Sequence, residues 1–117
     1  MSKKMNKKGT VDLNYMEGHS YIVGREGHIY ISDPSVSRAH AEIRILGGKI
    51  YLRDLDSTNG TYFIEDGRLL AIKEAIVKPH DTVVLGRKPY KINSLLAIVG
   101  VFAAYSDKSG LVVNLRE

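Results

Sequence analysis

The sequence predicts an all-β fold, an antiparallel sandwich or barrel, and three observations carry that expectation. Short runs of alternating apolar and polar residues recur along the 117 residues, separated by turn signals, which is the period of half-buried strands. The runs do not alternate with helical patterns, as a sheet of parallel strands and crossover helices would require. Gly47-Gly48 and Glu65-Asp66-Gly67 join neighbouring runs, and both are tight-turn sequences that admit positive φ.

Residues 1–18 form a basic tail with a possible first strand, residues 19–93 a core domain, and residues 94–117 an apolar C-terminal extension. In order, the expected strands of the core are Ser20–Val23, His28–Ile31, Ala41–Leu46, Lys49–Arg53, Thr61–Ile64, Arg68–Leu70, Thr82–Leu85 and Tyr90–Ile92. On Ala41–Leu46, the side chains of Ala41, Ile43 and Ile45 share one face, and on the next strand Ile50 and Leu52 do the same. Asp33-Pro34-Ser35-Val36-Ser37 reads as an irregular loop, since proline lacks an amide donor and pushes the preceding residue toward an extended conformation. Leu69–Val77 is compatible with a strand, a loop or a helical turn. Leu95–Tyr105 is apolar on both faces; it is expected as terminal strands buried by the sandwich, with self-association through this segment as the alternative.

Composition narrows the function. The chain has no cysteine, which removes disulfides and thiolate metal sites and fits an intracellular, cytoplasmic setting. Its four histidines have no metal-ligand spacing, so no metal and no cofactor is expected. The net charge of +4 raises nucleic-acid binding, but Lys3, Lys4, Lys7 and Lys8 lie in the tail, and without them 13 basic residues face 13 acidic ones. A formally neutral body offers no specific nucleic-acid groove. No apolar run reaches the length of a membrane-spanning helix.

The residues that carry chemistry lie on loops. Arg25 closes the first clear strand, Ser37 and Arg38 precede Ala41–Leu46, and Ser57-Thr58-Asn59-Gly60 links two later strands. Strands of similar length return these loops to one end of the sheet. An arginine fork, a hydroxyl and loop amides together suit a tetrahedral dianion. A phosphate monoester carries a charge of about −1.5 to −2 at neutral pH, so a second cation is wanted, and Arg38 is the natural choice. Ser37, His40 and Asp56 would make a hydrolase triad only on paper, because no nucleophile elbow or oxyanion hole accompanies them; no catalytic residue is expected.

Gly24-Arg25, then Ser37-Arg38-Ala39-His40-Ala41, then Leu55-Asp56-Ser57-Thr58-Asn59-Gly60-Thr61, and later Asp81-Thr82-Val83-Val84-Leu85-Gly86 together resemble the forkhead-associated (FHA) domain family. The likeness covers roughly Ser20 to Ile92. It implies an antiparallel β-sandwich of about eleven strands whose apical loops bind phosphothreonine peptides in intracellular signalling or assembly. On that likeness Arg25, Ser37 and Arg38 would serve the phosphate, Thr58, Asn59 and Ser35 would line the peptide, and Gly24, His40 and Gly60 would support the loops. Gly27-His28-Ile29 stands where many relatives carry an Asn-Asp element, and the stretch from Ile64 to Lys78 is longer than usual. Both differences bear on selectivity more than on binding. The competing reading is a phosphate-independent scaffold domain that uses the same loops or the C-terminal segment.

Overall fold

The computed structural model describes residues 12–99. A 3-10 turn, Leu13–Met16, precedes nine strands: β1 (Ser20–Gly24), β2 (Ile29–Tyr30), β3 (Ala41–Leu46), β4 (Lys49–Asp54), β5 (Thr61–Glu65), β6 (Arg68–Ala71), β7 (Glu74–Val77), β8 (Thr82–Leu85) and β9 (Lys88–Lys91). They form a five-stranded sheet, β2-β1-β3-β4-β7, and a four-stranded sheet, β6-β5-β8-β9. The all-β sandwich expected from sequence is therefore the architecture found, with nine strands among the described residues.

The period-2 pattern sets which face is buried. Ala41, Ile43 and Ile45 of β3 and Ile50 and Leu52 of β4 are all buried, and the register pairs Ile43 with Leu52 and Ile45 with Ile50. Each of the isoleucine and leucine side chains contributes roughly 1.5–3 kcal/mol on burial. They meet Val83 and Leu85 of the second sheet in one core cluster, which Met16 also joins.

Two glycine turns make the hairpins. Gly47 and Gly48 both adopt positive φ between β3 and β4, and their amides donate to the two carboxylate oxygens of Glu17 at 2.6 and 3.1 Å. Asp66 and Gly67, also at positive φ, close the β5–β6 hairpin. The ambiguous stretch at Leu69–Val77 is extended: β6 stays with β5, and the chain then crosses to the other sheet, where β7 pairs with β4. The extra length after Ile64 is thus a hairpin strand followed by a change of sheet.

Two expectations are corrected. The β1–β2 pair is parallel, not antiparallel. The Gly24 carbonyl accepts from both Gly27 and Ile31, so the chain makes a closed spiral turn and resumes its direction. Residues 92–99 are helical where terminal strands were expected. Ile92, Leu95 and Leu96 of that helix are buried in the core cluster while Ile98 is exposed, a helical spacing inside a run that is apolar on every face and therefore carries no period. Of the segment 1–18, where a possible first strand was expected, residues 12–18 hold the 3-10 turn and the remainder lies outside the described residues. The lysine tail and the end of the C-terminal extension lie outside the described residues.

Candidate functional site

The strand register gathers the loops at one pole of the sandwich. Val23 pairs with Ala41, Ala41 with Asp54, and Thr61 with Leu85, so the turns after β1, before β3, between β4 and β5, and between β8 and β9 all emerge together. Their side chains surround a cleft of about 340 Å³ lined by Arg25, Pro34, Ser35, Val36, Ser37, Arg38, Thr58 and Asn59. All six residues expected to contact phosphate or peptide line it. Gly24, His40 and Gly60, expected as support, lie behind it in the hydrogen-bonded frame.

Arg25 is aimed by a bond from its Nε to the Val36 carbonyl at 2.6 Å. That bond uses one of five guanidinium donors and leaves the two terminal nitrogens for an anion. The Ser37 hydroxyl accepts the Thr58 amide at 3.0 Å; its own proton remains available to donate. Arg38 is exposed and makes a loose pair with Glu26 at 3.8 Å. Such a pair is worth little in water, so Arg38 is free to turn toward an incoming dianion.

The loops are joined through the backbone. The Arg25 amide donates to the Ser37 carbonyl and the Glu26 amide to the Arg38 carbonyl. A Cβ at Gly24 would collide with the Arg38 carbonyl oxygen, so glycine is required for this close approach. His40 is fully buried. Its Nδ1 accepts the Ser37 amide, which places the proton on Nε2, directed at the Gly60 carbonyl 2.9 Å away. The Ser37 hydroxyl faces Thr58 and not this ring, so the nucleophile-to-base contact of a hydrolase is not formed.

On the 56–60 loop, the positive-φ positions are Asp56 and Gly60. Asn59 is therefore not needed as a left-handed turn residue. Its Nδ2 donates to the Ser35 carbonyl at 2.9 Å, which spends one amide proton on the frame and leaves the other, with the amide oxygen, for a ligand.

Sequence reasoning missed several residues. Asp54 accepts from the Ser57 hydroxyl and amide and from the Thr61 hydroxyl, and the Tyr62 hydroxyl holds the Asn59 carbonyl at 2.8 Å. Burial works against ionisation of Asp54, but the Ser57 and Thr61 bonds outweigh it and hold the carboxyl below its ordinary value. Asp33 is likewise lowered, first by the Ser35 hydroxyl, then by the Ser35 amide, with Lys88 adding at 3.2 Å. Asp33-Pro34-Ser35 is a legible Asx-turn sequence. A second cleft of about 450 Å³ adjoins the first across Pro34, Ser35 and Asn59, and Arg87, Lys88 and Asp33 complete its lining. Nothing local in the sequence pointed to Arg87, which arrives from the far β8–β9 turn.

Among the described residues no group of three or more potential ligands could hold a metal ion, and no helix is long and apolar enough to cross a membrane. Comparison with known proteins gives a match of the FHA domain family model to residues 21–86. The chain belongs to the FHA domain family. This FHA domain is 34% identical over 62 residues to the glycogen accumulation regulator GarA of Mycolicibacterium smegmatis, a match covering 53% of this chain and 37% of GarA. The chain thus spans about a third of the length of that curated relative. It is also similar to the FhaA FHA domain in a structure complexed with the intracellular domain of Rv3910, with TM-score 0.54, 36% identity, and coverage of 62% of this chain and 77% of that one. An FHA domain from a structural and functional analysis of phosphothreonine-dependent FHA interactions matches with TM-score 0.54 and 36% identity, covering 62% of this chain and 73% of that one. These matches agree with the sandwich and with the loop motifs from which the family was read.

Proposed function

We propose that this FHA domain recognises phosphothreonine in partner proteins and acts by recognition, not turnover, in a cytoplasmic signalling or assembly role. The observation that carries the reading is the single cleft that brings the Arg25 guanidinium, the Ser37 hydroxyl, Arg38, Thr58 and Asn59 together. The phosphothreonine-dependent interactions named for a relative 36% identical to this chain support it, as does the protein complex formed by FhaA.

In this reading the terminal nitrogens of Arg25 and the Ser37 hydroxyl hold the phosphate, and Arg38 leaves Glu26 to supply the second positive charge. Thr58, the free half of the Asn59 amide and Ser35 meet the peptide main chain. Gly24, His40 and Gly60 keep the loops in place. The adjoining cleft with Arg87 and Lys88 favours acidic residues on one side of the phosphothreonine, Lys88 being partly neutralised by Asp33. The threonine methyl adds roughly 1 kcal/mol over serine if it is buried. A few charge-assisted bonds give micromolar affinity, about −8 kcal/mol.

The test is calorimetry with a phosphothreonine peptide selected from an oriented library, its dephosphorylated form and its phosphoserine form. Arg25→Ala should lose about 2–5 kcal/mol of binding. Equal affinity for the dephosphorylated peptide would replace this reading with a phosphate-independent scaffold.

A further inference from the structure

Four strands end the two sheets, and they are not equally protected. β2 is only two residues long. On β9, the bond from the Ile92 amide to the Asp81 carbonyl makes 81/92, 83/90 and 85/88 the hydrogen-bonded pairs, so the outward positions are Pro89 and Lys91. Proline offers no donor there and lysine discourages pairing. β7 carries Glu74 at one outward position and is flanked by Lys73 and Lys78.

β6 has neither a proline nor a charge at its outward positions; its one charged residue, Arg68, is paired inward with Glu65 of β5. The Ile72 amide donates to the Thr61 carbonyl at 2.8 Å, which makes 61/72, 63/70 and 65/68 the bonded pairs with β5. The N–H and C=O groups of Leu69 and Ala71 therefore point away from the sheet. Among the described residues nothing pairs with that edge. After Arg68 its side chains are apolar and open to solvent, with Leu69 55% and Leu70 44% exposed and Ile64 beside Leu69 at 45%.

We propose that β6 is a docking edge for a second copy of this chain, the two β6 strands pairing antiparallel about a two-fold axis at Leu70. The register is self-complementary. Leu69 of one copy meets Ala71 of the other, and the two such pairs exchange every outward N–H and C=O of both strands. Leu70 faces its own equivalent in the closely spaced pair between them. Arg68 falls opposite Ile72, which keeps the two copies' Arg68 side chains apart, and the same register carries Lys73 to Gly67 of the second copy, beside its Asp66. The two four-stranded sheets become one continuous sheet. One short strand from each copy buries less than the roughly 1,200–2,000 Å² of a standard interface, so the dimer is weak and gains when a partner with several docking motifs holds two copies together. The apical cleft is left open, and the inference stands independently of what that cleft binds.

Amide NMR spectra of the full chain from tens of micromolar to millimolar, paired with sedimentation, test this. A dimer at the upper end is expected, with concentration-dependent shifts and slowed exchange at the Leu69 and Ala71 amides, while the Arg68 and Leu70 amides, already bonded to β5, keep their exchange rates. Leu69→Lys should weaken the dimer at least tenfold, and so should Ala71→Pro, which deletes an outward donor. Leu69→Lys replaces only a solvent-exposed side chain and keeps the test valid if the proline variant does not fold. A single-chain mass at the highest concentration overturns the proposal. So does a dimer indifferent to Leu69→Lys, or one whose shifts lie elsewhere, as docking through the C-terminal segment would give.

Discussion

The Ser37 amide donates to Nδ1 of His40 at 2.9 Å, and the opposite ring nitrogen reaches the Gly60 carbonyl, so one buried imidazole joins the loop before β3 to the loop before β5. Replacing the ring by a methyl group opens a cavity and strands a partly buried donor and a partly buried acceptor. His40→Ala should therefore cost about 2–5 kcal/mol of stability, read from the urea midpoint. A loss below about 1 kcal/mol would remove His40 from its place as the joint.

Gly24 tests the same frame from the other side. A methyl group there meets backbone atoms of Ser37 and Arg38, which cannot rotate away as a flexible side chain would. Gly24→Ala should destabilise the domain by about 1–3 kcal/mol. It should also lower phosphopeptide affinity at least tenfold although every contacting side chain is unchanged. Thermal melts alongside calorimetry check both, and full affinity in a folded Gly24→Ala variant would show that the close approach does not position Arg25.

Much of this was legible in the sequence because the relevant information is local. The alternation on β3 and β4 and the Gly47-Gly48 turn each belong to a few neighbouring residues, and so does each of the short motifs around Arg25, Ser37 and Asn59, which the strand register then brings to one cleft. What was not legible depends on tertiary context. The run from Leu95 has no apolar period, so only the neighbours it packs against decide for helix. The parallel β1–β2 pair depends on Gly27 passing under the Ile22 carbonyl, which composition does not announce. Arg87 reaches the site only because β8 and β9 return to the same pole.

Asp54 gives the domain an acid sensitivity with a defined sign. Its folded value lies below the ordinary carboxylate value, so its contribution is fully present above about pH 4. That contribution is lost as the pH falls through the lower folded value. Asp54→Asn should be less stable at neutral pH by about 1 kcal/mol, since the amide cannot accept all three bonds. Its stability should also fall less steeply than the native chain's on acidification below about pH 4. Chemical denaturation across that range decides, and parallel curves for the two proteins would assign the acid sensitivity elsewhere. Phosphopeptide binding should weaken earlier, below about pH 6, where the ligand phosphate takes up its second proton.

Arg25 separates charge from geometry. Its Nε is committed to Val36 at 2.6 Å, and this commitment turns the terminal nitrogens toward the cleft. Lysine keeps the charge but has one ammonium group, which cannot hold the Val36 carbonyl and present a planar fork to the phosphate at once. Arg25→Lys should therefore weaken phosphothreonine peptide binding by about tenfold or more, at least ~1.4 kcal/mol. The salt dependence should be almost unchanged, because the long-range attraction of one positive charge is preserved. Arg25→Ala should lose both. Stability of either variant should stay within about 1 kcal/mol of the native chain, since the side chain is exposed. Calorimetry at several ionic strengths separates the outcomes, and native affinity in Arg25→Lys would reduce this arginine to a point charge and leave the Val36 bond without a function.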